Sequence, residues 1–160
     1  DTQFPWARLI PQYNNMGISD KSANLVTIHT YNGACLNLER NEAIVHYQFV
    51  IHYCNEENVT QPSPGDRVVW GDFTGDGFLD RLRIDPSNST FNVALGGPSG
   101  LAKERLWFTL GKPIDKLFVE HDPSSNRDVV NLETGGTAEA FGDNGSNSFV
   151  QIAMPYLLTP

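Results

Sequence analysis

Short segments of strand-forming residues, each ended by glycine, proline, asparagine or aspartate, recur along most of this chain. β-Branched and aromatic residues favour strands, whereas Gly, Pro, Asn and Asp favour the turns between them. The clearest alternation lies at 44–54, where every second residue is apolar or aromatic: Val45, Tyr47, Phe49, Ile51 and Tyr53. A period of two is that of a strand with one face on a core. The pattern predicts an all-β fold of short antiparallel strands, arranged as a sandwich, a barrel or a propeller.

A β-hairpin is predicted near the start of this pattern. The segment 25–31 is rich in strand-forming residues, and Asn32-Gly33 follows it. Asn-Gly favours a tight turn because both residues tolerate a positive φ, so 35–38 is predicted to return as the second strand. No long helix is expected. Further strands are predicted at 67–70, 82–84, 90–95, 106–110, 116–120, 129–132, 138–141 and 149–153.

The acidic, proline-containing segment 55–65 interrupts regular structure. It suggests two regions, an N-terminal β region at 1–60 and a second β region at 61–160. The chain has 160 residues, which suits one compact domain that contains both.

The charge of the chain argues against one class of partner. Nineteen acidic and eleven basic residues give a formal net charge of −8. An acidic surface repels phosphate backbones, so nucleic acid is not expected as a partner. No apolar run reaches the roughly 20 residues of a membrane-spanning helix.

Cysteines and glycosylation sequons predict an extracellular protein. Cys35 and Cys54, the two cysteines, flank a predicted hairpin and are expected to form a disulfide, with two buried free thiols as the alternative. The sequons begin at Asn58, Asn88 and Asn144, all in polar segments that are predicted to be loops. The first residues read like a mature terminus left after processing, which agrees with secretion.

The segment 72–80, called the acidic loop below, is the strongest candidate for a functional site. Oxygen-bearing side chains occupy its positions 1, 3, 5 and 9, and Gly77 at position 6 permits a sharp turn. Calcium binds six to eight oxygens in a flexible shell, and the backbone carbonyl at position 7 commonly contributes. An acidic turn that binds nothing is the alternative. The expected calcium ligands are Asp72, Thr74, Asp76, the carbonyl of Phe78, and Asp80.

The same residues resemble a known family. The stretch 70–84, Trp-Gly-Asp-Phe-Thr-Gly-Asp-Gly-Phe-Leu-Asp-Arg-Leu-Arg-Ile, is similar to an FG-GAP/VCBS-type repeat. The clear copy covers about 67–97, and a degenerate copy that is not expected to hold metal covers about 117–145. In that family, strand–calcium loop–strand units form the blades of β-propellers in integrin heads, fungal lectins and secreted hydrolases.

The resemblance implies propeller-blade-like units, yet at most three fit this chain, and a closed propeller has about four to eight blades. Three arrangements stay open. The chain is a fragment of a larger propeller, or another chain completes the fold, or one repeat is used within a different β fold.

The resemblance implies a secreted calcium-binding module that recognises carbohydrate or extracellular matrix. An extracellular hydrolase, or a subunit of one, and a structural fragment are the alternatives. The sequence singles out no nucleophile motif and no carboxylate pair, so catalytic residues are not assigned. His29, His46, His52 and His121 are expected to be partly exposed strand residues, with a metal-binding or catalytic role as the alternative. Trp6, Trp70 and Trp107 are candidates for stacking on sugars, although core packing is the expected role of Trp70.

Overall fold

The computed structural model describes residues 25–30, 32–40 and 49–153. These residues form thirteen short strands and no helix, and all strand pairings among them are antiparallel. None of the four sheets closes into a barrel. The predicted all-β fold is therefore confirmed. The described residues include no helix long and apolar enough to cross a membrane.

The N-terminal sheet contains three strands in chain order, β1 (Leu25–His29), β2 (Cys35–Arg40) and β3 (Phe49–Tyr53). Gly33, with φ at 96°, lies in the turn between β1 and β2, as the Asn-Gly pair predicts. The predicted strand at 44–54 is confirmed only over β3, because 41–48 lie outside the described residues.

The central sheet follows the segment 55–65. Its four main strands lie in chain order and are interrupted by a two-stranded ribbon. The strands are β4 (Arg67–Gly71), β5 (Asp80–Asp85), β6 (Thr90–Ala94), the ribbon strands β7 (Gly96–Gly97) and β8 (Gly100–Leu101), and β9 (Arg105–Thr109).

The C-terminal sheet also has four strands joined in chain order. They are β10 (Lys116–Asp122), β11 (Arg127–Thr134), β12 (Thr137–Asp143) and β13 (Phe149–Ile152). Every strand predicted between 67 and 153 is present, with ends shifted by a few residues.

Two apolar clusters hold the sheets together. Because side chains alternate across a strand, neighbouring residues of β4 enter different clusters. Val69 lies in the first cluster, between the central and C-terminal sheets, together with Leu82, Phe91 and Phe149. Trp70 lies in the second cluster, between the N-terminal and central sheets, among Ile28, Ala34, Leu36, Tyr53, Ala94 and Leu101. The second cluster joins the two regions predicted at 1–60 and 61–160.

Candidate metal centre in the acidic loop

The acidic loop connects β4 to β5, and the pair Gly71 and Asp80 closes its base. Two of its residues need a positive φ, Gly75 at 78° and Gly77 at 90°. Glycine adopts this conformation without the strain that a Cβ introduces. The sharp turn predicted at Gly77 is therefore present.

Asp72 organises the first half of the loop. One of its carboxylate oxygens accepts hydrogen bonds from the backbone N–H groups of Gly75 (2.9 Å) and Asp76 (3.2 Å). The other accepts the N–H of Gly77 at 2.8 Å. The side chain is buried, so these bonds replace the water that an ionised carboxylate would otherwise keep. The loop is wound around Asp72.

Asp80 fixes the other end of the loop. Its two carboxylate oxygens accept the N–H groups of Phe73 and Gly96, each at 2.9 Å. Burial raises the pKa of the Asp80 carboxyl well above its ordinary value, the bond from Gly96 opposes this, and the charges of Asp76 and Asp72 raise the pKa further. The three carboxylates of the loop are therefore close enough to repel one another.

Thr74, Asp76 and Phe78 have different surroundings. Asp76 is exposed, and its carboxylate accepts the N–H of Phe78 at 3.0 Å. Phe78 is half-buried and packs against the second cluster. The hydroxyl oxygen of Thr74 is buried and has no hydrogen-bond partner. A buried oxygen of this kind loses its hydration without replacement, which costs about 1–3 kcal/mol.

Among the described residues, no group of three or more His, Cys, Asp or Glu side chains is arranged to hold a metal ion. The donor chemistry of the loop nevertheless fits calcium. A carboxylate has about four lone-pair positions, and Asp80 uses two of them in its bonds to backbone amides. The unpaired Thr74 oxygen is a neutral ligand of the type that calcium accepts.

Two side chains of the N-terminal sheet reach the acidic loop, and the sequence predicts neither. The amide of Asn32 donates to the carbonyl of Gly77 at 3.0 Å, and the phenol of Tyr53 donates to the carbonyl of Leu79 at 2.6 Å. Burial raises the pKa of the Tyr53 phenol, and the charges of Asp80, Asp76 and Asp72 raise it further. The strand pattern places Tyr53 on an apolar face, but its partner lies 26 residues away in the chain.

The turn between β10 and β11 lies within 117–145, the segment that the sequence likens to a degenerate repeat copy. The Asp122 carboxylate accepts the hydroxyls of Ser124 (2.8 Å) and Ser125 (2.9 Å), and also the N–H of Ser124. The strand β11, which follows this turn, touches the acidic loop through Asp128, whose carboxylate accepts the N–H of Asp72 at 2.7 Å. The sequence places Asp128 within this acidic stretch but does not predict that contact.

The structure also describes the predicted disulfide and the predicted glycosylation sites. Cys35 and Cys54 form the predicted disulfide. The sequon residues Asn58, Asn88 and Asn144 are all exposed, as an acceptor for a glycan must be.

The expected exposure of the histidines is confirmed at His29, His52 and His121, and core packing is confirmed at Trp70, whereas the buried Trp107 does not serve as a sugar-stacking candidate. His29 and His52 are exposed on their strands, His121 is half-exposed, and His46 lies outside the described residues, as does Trp6. Trp70 and Trp107 are buried in the second and first clusters, so both pack in the core.

The chain has no significant match among protein-family models, curated proteins or solved structures.

Proposed function

We propose that this chain is a secreted β module whose acidic loop binds one calcium ion, and that it recognises carbohydrate or extracellular matrix. The observation that carries the calcium proposal is the buried, unpaired hydroxyl oxygen of Thr74, in a loop with three neighbouring carboxylates. A cation would give this oxygen a partner and would remove the repulsion between the carboxylates.

The residues that would hold the ion are those expected from the spacing: Asp72, Thr74, Asp76, Asp80 and the carbonyl of Phe78. When bound, calcium supplies positive charge to an acidic turn and favours a single loop conformation. The chain's own part is to shape the turn, because Asp72 holds three backbone amides and Asp80 holds two.

Two features support an extracellular location. Disulfides persist mainly in oxidising compartments, and Cys35 and Cys54 are linked. The asparagines of the three sequons lie in exposed turns, where a glycosylating enzyme can reach them.

The arrangement of sheets supports the proposed likeness to propeller repeats. The central and C-terminal sheets each have four antiparallel strands in chain order, and each carries an acidic turn between its first two strands. The two sheets pack face to face through the first cluster. Recognition of carbohydrate or matrix rests on the resemblance, and it cannot use Trp70 or Trp107, since both indole rings are buried.

Calorimetric titration of calcium into metal-stripped protein tests the metal site. We expect one binding event and a higher melting temperature in calcium. Asp76→Ala should lose both, because it removes an exposed carboxylate that holds only the N–H of Phe78. Asp85→Ala is the matched control, since Asp85 makes the same kind of turn bond to the N–H of Ser87 at the opposite end of β5. Absence of binding in the wild-type protein, or equal loss in both variants, would overturn the calcium proposal.

A glycan array and a panel of matrix proteins, probed in calcium and in chelator, test the recognition proposal. We expect a ligand that is bound in calcium and released by chelator. If neither chelator nor Asp76→Ala changes the binding of that ligand, recognition does not depend on the acidic loop. A complete absence of ligands on both panels would contradict the proposed recognition role.

A further inference from the structure

Side chains from the N-terminal region donate hydrogen bonds to the two backbone carbonyls that flank Phe78 in the acidic loop. Asn32 donates to Gly77, and Tyr53 donates to Leu79. Phe78 and Leu79 also pack on the second cluster, which contains Ala34 and Tyr53. The position of the Phe78 carbonyl, one of the proposed calcium ligands, therefore depends on a different sheet from the one that carries the carboxylates.

Both donors lie beside the disulfide. Asn32 is in the turn that leads into β2, whose first residue is Cys35, and Tyr53 directly precedes Cys54. The N–H of Cys54 donates to the carbonyl of Cys35 at 3.0 Å, so a hydrogen bond and the disulfide join the same two residues. The disulfide thus fixes the start of β2 against the end of β3, where the two donors are positioned.

The disulfide is accessible, and the rest of the core does not depend on it. Cys54 is an exposed residue, so the disulfide lies at the surface on its side, where a small dithiol can approach. Among the described residues, the first cluster contains none from the N-terminal sheet: its members lie in the central and C-terminal sheets, at Phe73 of the acidic loop and at Ile114 between β9 and β10. Loosening of the N-terminal sheet would therefore leave that cluster intact.

We propose that the Cys35–Cys54 disulfide is a redox switch for the acidic loop, with Asn32 and Tyr53 as the residues that transmit it. A dithiol thiolate attacks the Cys54 sulfur and releases the Cys35 thiolate. The second thiol of the reductant then displaces Cys54, so two electrons and two protons pass to the protein and the dithiol becomes a cyclic disulfide. Once reduced, the sheet positions Asn32 and Tyr53 less firmly, and the loop binds calcium more weakly. This inference rests on the proposed calcium site.

The test measures calcium affinity by calorimetry for oxidised protein, for dithiothreitol-reduced protein and for the Cys35→Ser, Cys54→Ser double variant. We expect reduction to weaken binding about tenfold or more, the double variant to match the reduced protein, and dithiothreitol to leave the double variant unchanged. A cooperative urea-unfolding transition of the reduced protein reports whether the first cluster stays folded.

Tyr53→Phe keeps the disulfide and removes only the hydroxyl that bonds to Leu79. We expect severalfold weaker calcium binding with an unchanged far-ultraviolet circular dichroism spectrum. This variant decides the question if reduction unfolds the chain. Unchanged affinity on reduction would overturn the switch alone, and so would unfolding on reduction together with unchanged affinity in Tyr53→Phe. An oxidised wild-type protein that binds no calcium would overturn the proposed function as well.

Discussion

Asp72 and Asp128 bond to each other through both backbone and side chain: the Asp128 carboxylate accepts the N–H of Asp72 at 2.7 Å, and the Asp72 carbonyl accepts the N–H of Asp128 at 2.8 Å. Asp72 is the first residue of the acidic loop in the central sheet, and Asp128 is the second residue of β11 in the C-terminal sheet. The contact joins the acidic loop to the start of β11, and it places a buried carboxyl group of the C-terminal sheet against the start of the acidic loop.

Removal of the Asp128 side chain should destabilise the protein. Asp128→Ala leaves the N–H of Asp72 without its carboxylate partner, in a place where Asp72 is buried. We expect the free energy of unfolding to fall by about 1–3 kcal/mol, measured by urea denaturation. Asp115→Ala is the control, because the exposed Asp115 carboxylate makes a similar bond to the N–H of Gly135. Its cost should be about 0.5 kcal/mol or less, and equal costs would contradict the argument.

Metal-stripped protein should become less stable as the pH rises above about 4. The pKa of Asp80 is raised in the folded state, so the folded state binds this proton more tightly than the unfolded state, and stability falls as the proton is lost. Asp122 has the opposite effect, since the hydroxyl of Ser124 lowers its pKa, but it acts only below the ordinary value of 3.8. Melting temperatures between pH 4.5 and 7.5 would show the decline.

Asp80→Asn should abolish this decline. It should also lower stability at every pH, because an amide has one acceptor oxygen for the two N–H groups of Phe73 and Gly96. If wild-type protein and the variant show the same dependence on pH, Asp80 is not the titrating group.

Gly96 should tolerate no side chain. A Cβ at Gly96 would lie 1.9 Å from the carbonyl oxygen of Leu79 and 2.1 Å from the hydroxyl of Tyr53, so the bond between those groups could not survive. We expect Gly96→Ala to lower the free energy of unfolding by about 3 kcal/mol or more, as strong overpacking does. Gly97→Ala in the same short strand meets nothing within 4 Å and should be nearly neutral. Thermal melts that show similar shifts would contradict the crowding at Gly96.

Glu104 should contribute strongly to stability. Its carboxylate pairs with Arg81 and Arg83, each at 3.0 Å, and all three side chains are largely buried. Glu104→Ala leaves two cations without this partner, and loss of one member of a buried ion pair costs about 3–5 kcal/mol.

Glu139→Ala is the matched control for Glu104→Ala. Its partner Lys112 is 48% exposed and can turn to water, so the expected loss is below about 1 kcal/mol. Chemical denaturation of both variants measures the difference. A similar loss of unfolding free energy in the two variants would show that burial does not increase the contribution of Glu104 to stability.

The sequence by itself determined the local structure of this protein. Alternating apolar residues and the turn residues between them predict the strands from 67 to 153, because strand pairing and turn geometry depend on residues close together in the chain. The spacing of Asp72, Asp76 and Gly77 likewise predicts a sharp acidic turn, and the structure contains one.

Only the tertiary structure decided which distant residues meet at that turn. Asn32, Tyr53, Gly96 and Asp128 all bond to the acidic loop from other elements of the fold. No local pattern encodes these contacts. They follow from how the two apolar clusters stack three sheets, and that stacking results from burying side chains that lie far apart in the chain.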